Sequence, residues 1–326
     1  MKIRMAHGSG GEETRRLVEE IFVAAFGNDR LRAMEDAAVV KLKGKTAFTT
    51  DSYVVTPLFF RGGDIGRLSV CGTVNDLLMM GAKPEYLTAG FIIEEGMDTG
   101  TLEKIALSMA EAAKESGAAI VAGDTKVIEG RGGLFINTSG IGTVPEERDI
   151  SARNCAPGDA IILSGTLGDH HACILSARMG IENSIRSDTA PLCEPVGALL
   201  HSGAKVKAMR DITRGGLGTV LNEVCGAAGA GAQIYEDRIP VTAQVKSFCE
   251  ILGLDPMYMG NEGKFIAVVG KDDADKALAA LRETRGGKNA SHIGNVCEGK
   301  AVTMITAVGG RRTIHTMTGE GLPRIC

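Results

Sequence analysis

The chain has 326 residues, 44% of them hydrophobic, with no Trp and a formal net charge of −4. That length exceeds one ordinary core and predicts two domains. The mild acidity, the lack of a basic stripe and the lack of a long apolar run exclude nucleic acid as the main partner and a membrane span.

In chain order, Val18, Ile21, Phe22 and Ala25 follow helical spacing behind a glycine-rich stretch at 8–11. Residues 37–42 and 46–50 flank the Gly44-Lys45 turn and predict a hairpin. Residues 64–80 read as a helix stopped by Gly81, with Pro84 just beyond. A strand at 86–93, a helix through Leu102, Ile105, Ala106, Met109 and Ala113, and strands at 118–122 and 134–144 complete the first half. The polar run Pro145-Glu146-Glu147-Arg148 begins a connection.

The second half predicts strands at 160–164, 207–209, 232–235, 264–269, 290–296 and 302–306. Helices are expected at 169–179, 192–202, 217–227 and 274–282. Both halves are α+β, with units expected at 1–150 and 151–318 and a tail at 319–326. The 44 Gly are scattered, which suggests tight turns and close backbone approaches rather than a linker.

The eight Cys are widely spaced, with no CxxC and no zinc-like Cys/His pairing. The opening Met1-Lys2-Ile3-Arg4 is no secretory leader, so reduced thiols in a cytoplasmic protein are expected. The last Cys, Cys326, closes the run Gly319-Glu320-Gly321-Leu322-Pro323-Arg324-Ile325. Chain ends are seldom tightly held, and eight extended residues reach roughly 26–29 Å. Such a thiol is either a stray surface group or a carrier that can be loaded in one place and processed in another.

Acidic residues recur where strands end or glycines crowd. They are Glu35-Asp36, Asp51, Asn75-Asp76, Gly123-Asp124-Thr125-Lys126 and Asp211 in Asp211-Ile212-Thr213-Arg214-Gly215-Gly216. Several such oxygen ligands on one fold suit magnesium with a nucleotide, although any one alone reads first as a cap or turn residue. Gly44-Lys45-Thr46 imitates the end of a P-loop, but Val39 occupies the required first glycine position. Gly8-x-Gly10-x-x-Glu13 is no dinucleotide fingerprint either, although its free N–H groups suit an anion. Lys126 shares a strand face with Asp124, and Glu262 sits between glycines in Gly260-Asn261-Glu262-Gly263. Each is a candidate for chemistry or simply a solvated charge. His170-His171 reads as the start of a helix rather than a metal site.

Taken together, these segments resemble the HypE family of hydrogenase maturation factors, within the superfamily of aminoimidazole ribonucleotide synthetase and selenophosphate synthetase. The resemblance is carried by His7-Gly8-Ser9-Gly10-Gly11, Glu35-Asp36-Ala37-Ala38, Thr49-Thr50-Asp51-Ser52, Gly72-Thr73-Val74-Asn75-Asp76 and Gly81-Ala82-Lys83-Pro84. Gly123-Asp124-Thr125-Lys126-Val127, Asp211–Gly216, Gly260–Gly263 and the ending Pro323-Arg324-Ile325-Cys326 extend it across the chain. It implies a two-domain fold like aminoimidazole ribonucleotide synthetase, with a β-rich N-terminal dimerisation domain and an α/β C-terminal domain. It further implies a homodimer with ATP and magnesium in a cleft between the halves. Asp36, Asp51, Asn75, Asp76, Gly123, Asp124, Thr125 and Asp211 would serve the nucleotide, and Asp36, Asp51, Asp76 and Asp124 the metal. A HypF carbamoyltransferase would load Cys326, ATP-dependent dehydration would give a thiocyanate, and the cyanide would pass to iron on a HypC–HypD scaffold. Glu262 would be the base and Lys126 would orient or neutralise the transferring group. Three rivals stand beside this reading: another ATP enzyme of the superfamily, such as a phosphoribosyl-amidine synthetase or a selenophosphate synthetase, the latter disfavoured because no Cys precedes Cys71; a non-catalytic carrier or scaffold; and a purely structural binding protein, which leaves the acid–glycine pattern without explanation.

Overall fold

The computed structural model describes residues 1–9, 11–34 and 37–317. Asp36 and the tail with Cys326 lie outside the described residues. The N-terminal helix begins as α1 (Gly11–Leu17), loosens into a π turn over Val18–Val23 and closes as α2 (Ala24–Phe26), with α3 (Asp29–Arg32) behind it. Strand β1 (Thr46–Tyr53), the small ribbon β2 (Phe59–Phe60) and β3 (Gly63–Asp64), and helix α4 (Ile65–Met79) follow. Then come β4 (Lys83–Glu94), α5 (Thr99–Ser116), β5 (Ala119–Ile128) and β6 (Leu134–Thr143). The first sheet has the order β1-β6-β4-β5, with only β4 and β5 parallel.

The second sheet is built from β7 (Ala160–Leu163), β8 (Val206–Asp211), β9 (Gly231–Tyr235), β10 (Phe265–Val269), β11 (Ser291–Cys297), β12 (Val302–Ile305) and β13 (Arg311–Ile314). Its order is β13-β12-β9-β11-β7-β10-β8. The helices of this half are α6 (Asp169–Arg178), α7 (Cys193–His201), α8 (Gly216–Ala228), α9 (Ala243–Leu252) and α10 (Ala274–Arg282). No helix among the described residues is long and apolar enough to cross a membrane.

Helix α4 holds the two halves together. Asp64 caps it by accepting from the Gly66 and Arg67 amides at 2.7 and 3.1 Å, and Gly81, at φ 68°, turns the chain away. Its residues are buried almost all round, as a central helix requires. One side packs on β1 and β6, another on β8 of the second half. The apolar cluster around it runs without a break from Ile3 and Phe22 to Leu199 and Phe265. Residues 181–192 have no regular structure, yet Ile185, Ser187, Thr189 and Leu192 are buried. This strap is tied to the first half by Ser187 N–H to the Arg61 carbonyl (2.8 Å) and by Arg67 Nε to the Thr189 carbonyl (3.3 Å).

Two expectations need correction. Residues 37–42 form no strand, and β1 pairs with β6 over eight positions instead of closing a hairpin. A β6 partner supplies a full ladder, whereas the local segment leaves Val39 89% exposed and gains no buried face. The strand expected at 118–122 runs on to Ile128, so Asp124 and Lys126 lie within it rather than after it. Helix α9 and strand β13 were not anticipated. The former carries readable signals, a Thr242 cap on the Val245 amide (3.3 Å) and Gly253 at φ 67°.

His170 and His171 do open a helix, and both are buried. His170 Nδ1 lies 2.7 Å from Ser187 Oγ, which fastens α6 to the strap. Burial holds both imidazoles down at about 4. A depressed histidine favours the fold fully above its unfolded value near 6.5, and that contribution is lost as pH falls towards 4. Unfolding titrations should therefore show a loss on the order of 2–3 kcal/mol per imidazole across that window. His170→Gln should remove about half of the slope. A wild-type profile flat between pH 6.5 and 4 would contradict the assignment.

Candidate active site

Three carboxylates converge where the halves meet: Asp51 on β1, Asp76 on α4 and Asp211 at the end of β8. Each strand or helix has its own reason to end or bury there, so residues distant in sequence share one small volume. Thr49 Oγ1 donates to Asp76 Oδ2 at 2.7 Å, and the Tyr53 hydroxyl lies 3.3 Å from Asp51 Oδ2 and 3.2 Å from Thr73 Oγ1. Burial raises Asp76, with the Thr49 hydrogen bond opposing and Asp51 adding to the rise. Burial and then the charge of Asp76 push Asp211 up to about 7, with Arg210 opposing. Such crowding of acid groups is relieved by a cation. Among the described residues no set of three or more His, Cys, Asp or Glu is placed to hold a metal ion. The protein side chains alone therefore make no complete cation site, and an ion here would need further oxygen ligands such as phosphate and water, the shell that magnesium takes with one or two carboxylates.

Glu262 lies at the same junction and is buried, not a solvated charge. Burial, with help from Asp51 and Glu262, pushes the Tyr53 hydroxyl up, which places Glu262 within electrostatic reach of the acid cluster. Its backbone is gripped from both sides: the N–H donates to Asp188 Oδ1 at 3.0 Å, and the carbonyl accepts from Asn75 Nδ2 at 3.4 Å. The Asn75 amide also donates to the Ala190 carbonyl (3.1 Å) and accepts from Leu192 N–H (2.9 Å). Asn75 is thus engaged with the protein's own backbone at this junction.

A second group lies on β5. Gly123 fits because a Cβ there would come within 2.4 Å of the Ala89 carbonyl on the next strand. Thr125 is buried, while Asp124 and Lys126 are exposed and paired at 3.1 Å. Gly8 presses on the same strand, where a Cβ would meet Val127 N at 2.3 Å. Beside it opens a cavity of about 360 Å³ lined by Phe22, Phe26, Phe91, Gly123, Asp124 and Lys126 among others. The cavity joins an apolar wall to the polar edge strand β5, a mixed lining of the kind that small-molecule sites use.

The expected metal set is therefore divided in a single chain. Asp51 pairs through Thr138 and Ala89 to Gly123, three strand spacings or about 14 Å away. Asp124 is one residue out of that row and points to the opposite face of the sheet. Sequence reading missed Thr49 and Thr73, which belong to the motifs, and Tyr53, one residue beyond them; these hydroxyls carry no charge signal. It also missed the Asp188–Lys264 pair, because Asp188 lies in a segment with no periodicity.

Residues 34–144 match the family model for AIR synthase related protein, N-terminal domain, and residues 156–306 that for its C-terminal domain. Carbamoyl dehydratase HypE of Cupriavidus necator is 49% identical over 333 residues, covering 100% of this chain and 95% of that protein. A crystal structure of hydrogenase maturation protein HypE in complex with ATP superposes with a TM-score of 0.95 at 45% identity, covering 99% of both chains. The crystal structure of a HypE–HypF complex contains a chain 50% identical with a TM-score of 0.82, covering 92% of this chain and 99% of that one.

The raised Asp211 has a testable consequence. A carboxyl raised in the fold contributes its stability below its unfolded value near 4 and loses it as pH climbs through about 7. Without added cation, Asp211→Asn should therefore be more stable than wild type at pH 8, on the order of 2 kcal/mol after allowance for partial solvent screening. The two should match near pH 4. Denaturant titration at both pH values reads this directly, and an equal difference at both would rule out the titration of Asp211 as its source.

Proposed function

The chain belongs to the AIR synthase related family and, within it, to the carbamoyl dehydratases of the HypE type, and on that premise we propose that it dehydrates a carbamoyl group on its own Cys326 to a thiocyanate, driven by ATP. The observation that carries this reading is how residues 315–317 are anchored. The Tyr258 hydroxyl donates to the His315 carbonyl at 3.0 Å, and Met317 N–H reaches Thr219 Oγ1 at 3.4 Å. Tyr258 lies four residues before Glu262, and Thr219 lies in the first turn of the helix that follows the Asp211 loop. The nine residues that follow Met317 therefore start from contacts four positions in sequence from Glu262 and eight from Asp211, with a maximum reach of about 30 Å.

An amide-type oxygen is a poor leaving group, so the carbamoyl oxygen must first take the γ-phosphate and then depart as phosphate. One proton leaves nitrogen, to the base, as the oxygen takes the phosphoryl group, and the second leaves with the departing phosphate as the C≡N bond forms. Glu262, buried and with its backbone fixed, is the base in this reading. Lys126 neutralises the transferring group or orients the carbamoyl group. Gly123, Asp124 and Thr125 line the nucleotide cavity, and Asn75 braces the junction. Asp36, Asp51, Asp76 and Asp124 are the carboxylates offered to magnesium, with Asp211 beside Asp51 and Asp76; the ion, when bound, would offset phosphate charge.

The separation of Lys126 from Glu262 favours a homodimer. Phe48, Ile92 and Ile128 are 68%, 44% and 40% exposed on the same open sheet face as Asp124 and Lys126. A second copy on that face would cover them and offer the β5 group of one chain to the junction of the other. The reading divides the chain at about residue 150, leaves 319–326 as the carrier arm and sets the protein in the cytoplasm. HypF loads the arm, and a HypC–HypD scaffold takes the cyanide on its iron for a [NiFe]-hydrogenase.

Glu262→Gln should lose roughly 10²–10⁴-fold in dehydration while still binding ATP. Dimers co-expressed from Lys126→Ala and Glu262→Gln chains keep one intact site in each mixed pair, so about one quarter of wild-type activity should return. If both residues serve a site within one chain, the mixture will stay as inactive as either parent.

A further inference from the structure

We propose that Asp188, on the strap at 181–192, is a positioning residue for Glu262, holding its main chain where the base must stand. This rests on the dehydratase reading above. Both carboxylate oxygens of Asp188 face one short stretch: Oδ1 accepts from Glu262 N–H at 3.0 Å, and Oδ2 accepts from Lys264 Nζ at 3.1 Å. Between them, Gly263 lies so close that an added Cβ would collide with the Asp188 carbonyl. Asp188 therefore touches residues 262, 263 and 264 in turn.

The pair is deeply placed, with side-chain exposures of 5% for Asp188 and 12% for Lys264. Burial works against ionising Asp188, yet Lys264 and the Glu262 amide hold it below the usual carboxylate range. A buried ion pair is a poor source of stability, because apolar residues of the same volume often do as well. Its use here is geometric. The acid presents a fixed acceptor to the Glu262 amide, and the ammonium keeps that acceptor charged and oriented. From the other side Asn75 holds the Glu262 carbonyl, so the base stands on a peptide clamped at both ends. Displacing a catalytic group by about 1 Å can lose about 10²-fold in rate.

Two double variants separate the clamp from the charges. Asp188→Ala with Lys264→Met removes both charges and leaves the Glu262 amide unheld. Asp188→Asn with Lys264→Gln also removes both charges, but the asparagine oxygen still accepts from Glu262 N–H while its NH₂ donates to the glutamine oxygen. Dehydration of chain already carbamoylated at Cys326 is measured against ATP concentration. The first variant should lose about 10–100-fold in kcat with KM for ATP within about twofold, and the second should stay within about threefold of wild type in both. Should the first not fold, Asp188→Asn alone replaces it, since its oxygen will turn to Lys264 and abandon the amide; kcat should fall similarly and Lys264→Gln should restore it. Equal kcat in the clamped and unclamped variants, or a parallel loss of kcat and ATP affinity, would overturn the proposal. If wild type itself forms no thiocyanate, the dehydratase reading fails instead.

Discussion

The side-chain amide of Asn75 is the contact on which the junction depends. It projects from a helix buried almost all round and reaches across to three backbone groups of the second half: the carbonyls of Ala190 and Glu262 and the amide of Leu192. Each such hydrogen bond contributes about 1 kcal/mol net, but leaving its buried partner unsatisfied costs about 1–3 kcal/mol. The arrangement therefore specifies one relation between helix, strap and base. The next residue, Asp76, shares the helix with this brace, so the acid cluster and the base are set by the same turn.

Charge at the junction follows from that geometry. Asp51, Asp76 and Asp211 are brought together by three different elements, and burial and mutual repulsion raise Asp76 and Asp211. A site under that repulsion gains when a divalent ion and phosphate oxygens arrive together. The neighbouring Asp188–Lys264 pair is internally neutral, so it shapes the Glu262 loop without adding net charge to the cluster. The two assemblies divide the work: one is left electrostatically incomplete, the other is closed.

Much of this was legible in the sequence. Helix α4 announces itself through Asp64, Gly81 and Pro84, and the acid–glycine motifs mark most of the polar positions. Other features depend on tertiary pairing that no local pattern encodes. The hairpin expected at 37–50 fails because β1 finds a longer partner in β6. The opposite facing of Asp51 and Asp124 arises from strand order and register, neither of which periodicity reveals. Asp188 was invisible because an irregular strap has no period to read, and Tyr53 because its role comes from what surrounds it.

The central claim is that the sulfur of Cys326 carries the reacting group to the junction on an arm rooted at Tyr258 and Thr219. The most direct test is mass spectrometry of the C-terminal peptide after incubation with HypF, carbamoyl phosphate and ATP. The account predicts a carbamoyl adduct on Cys326 that then loses one water, with hydrolysable ATP required for the second change. An adduct that persists unchanged with ATP present, or a thiol that is never modified, would contradict it.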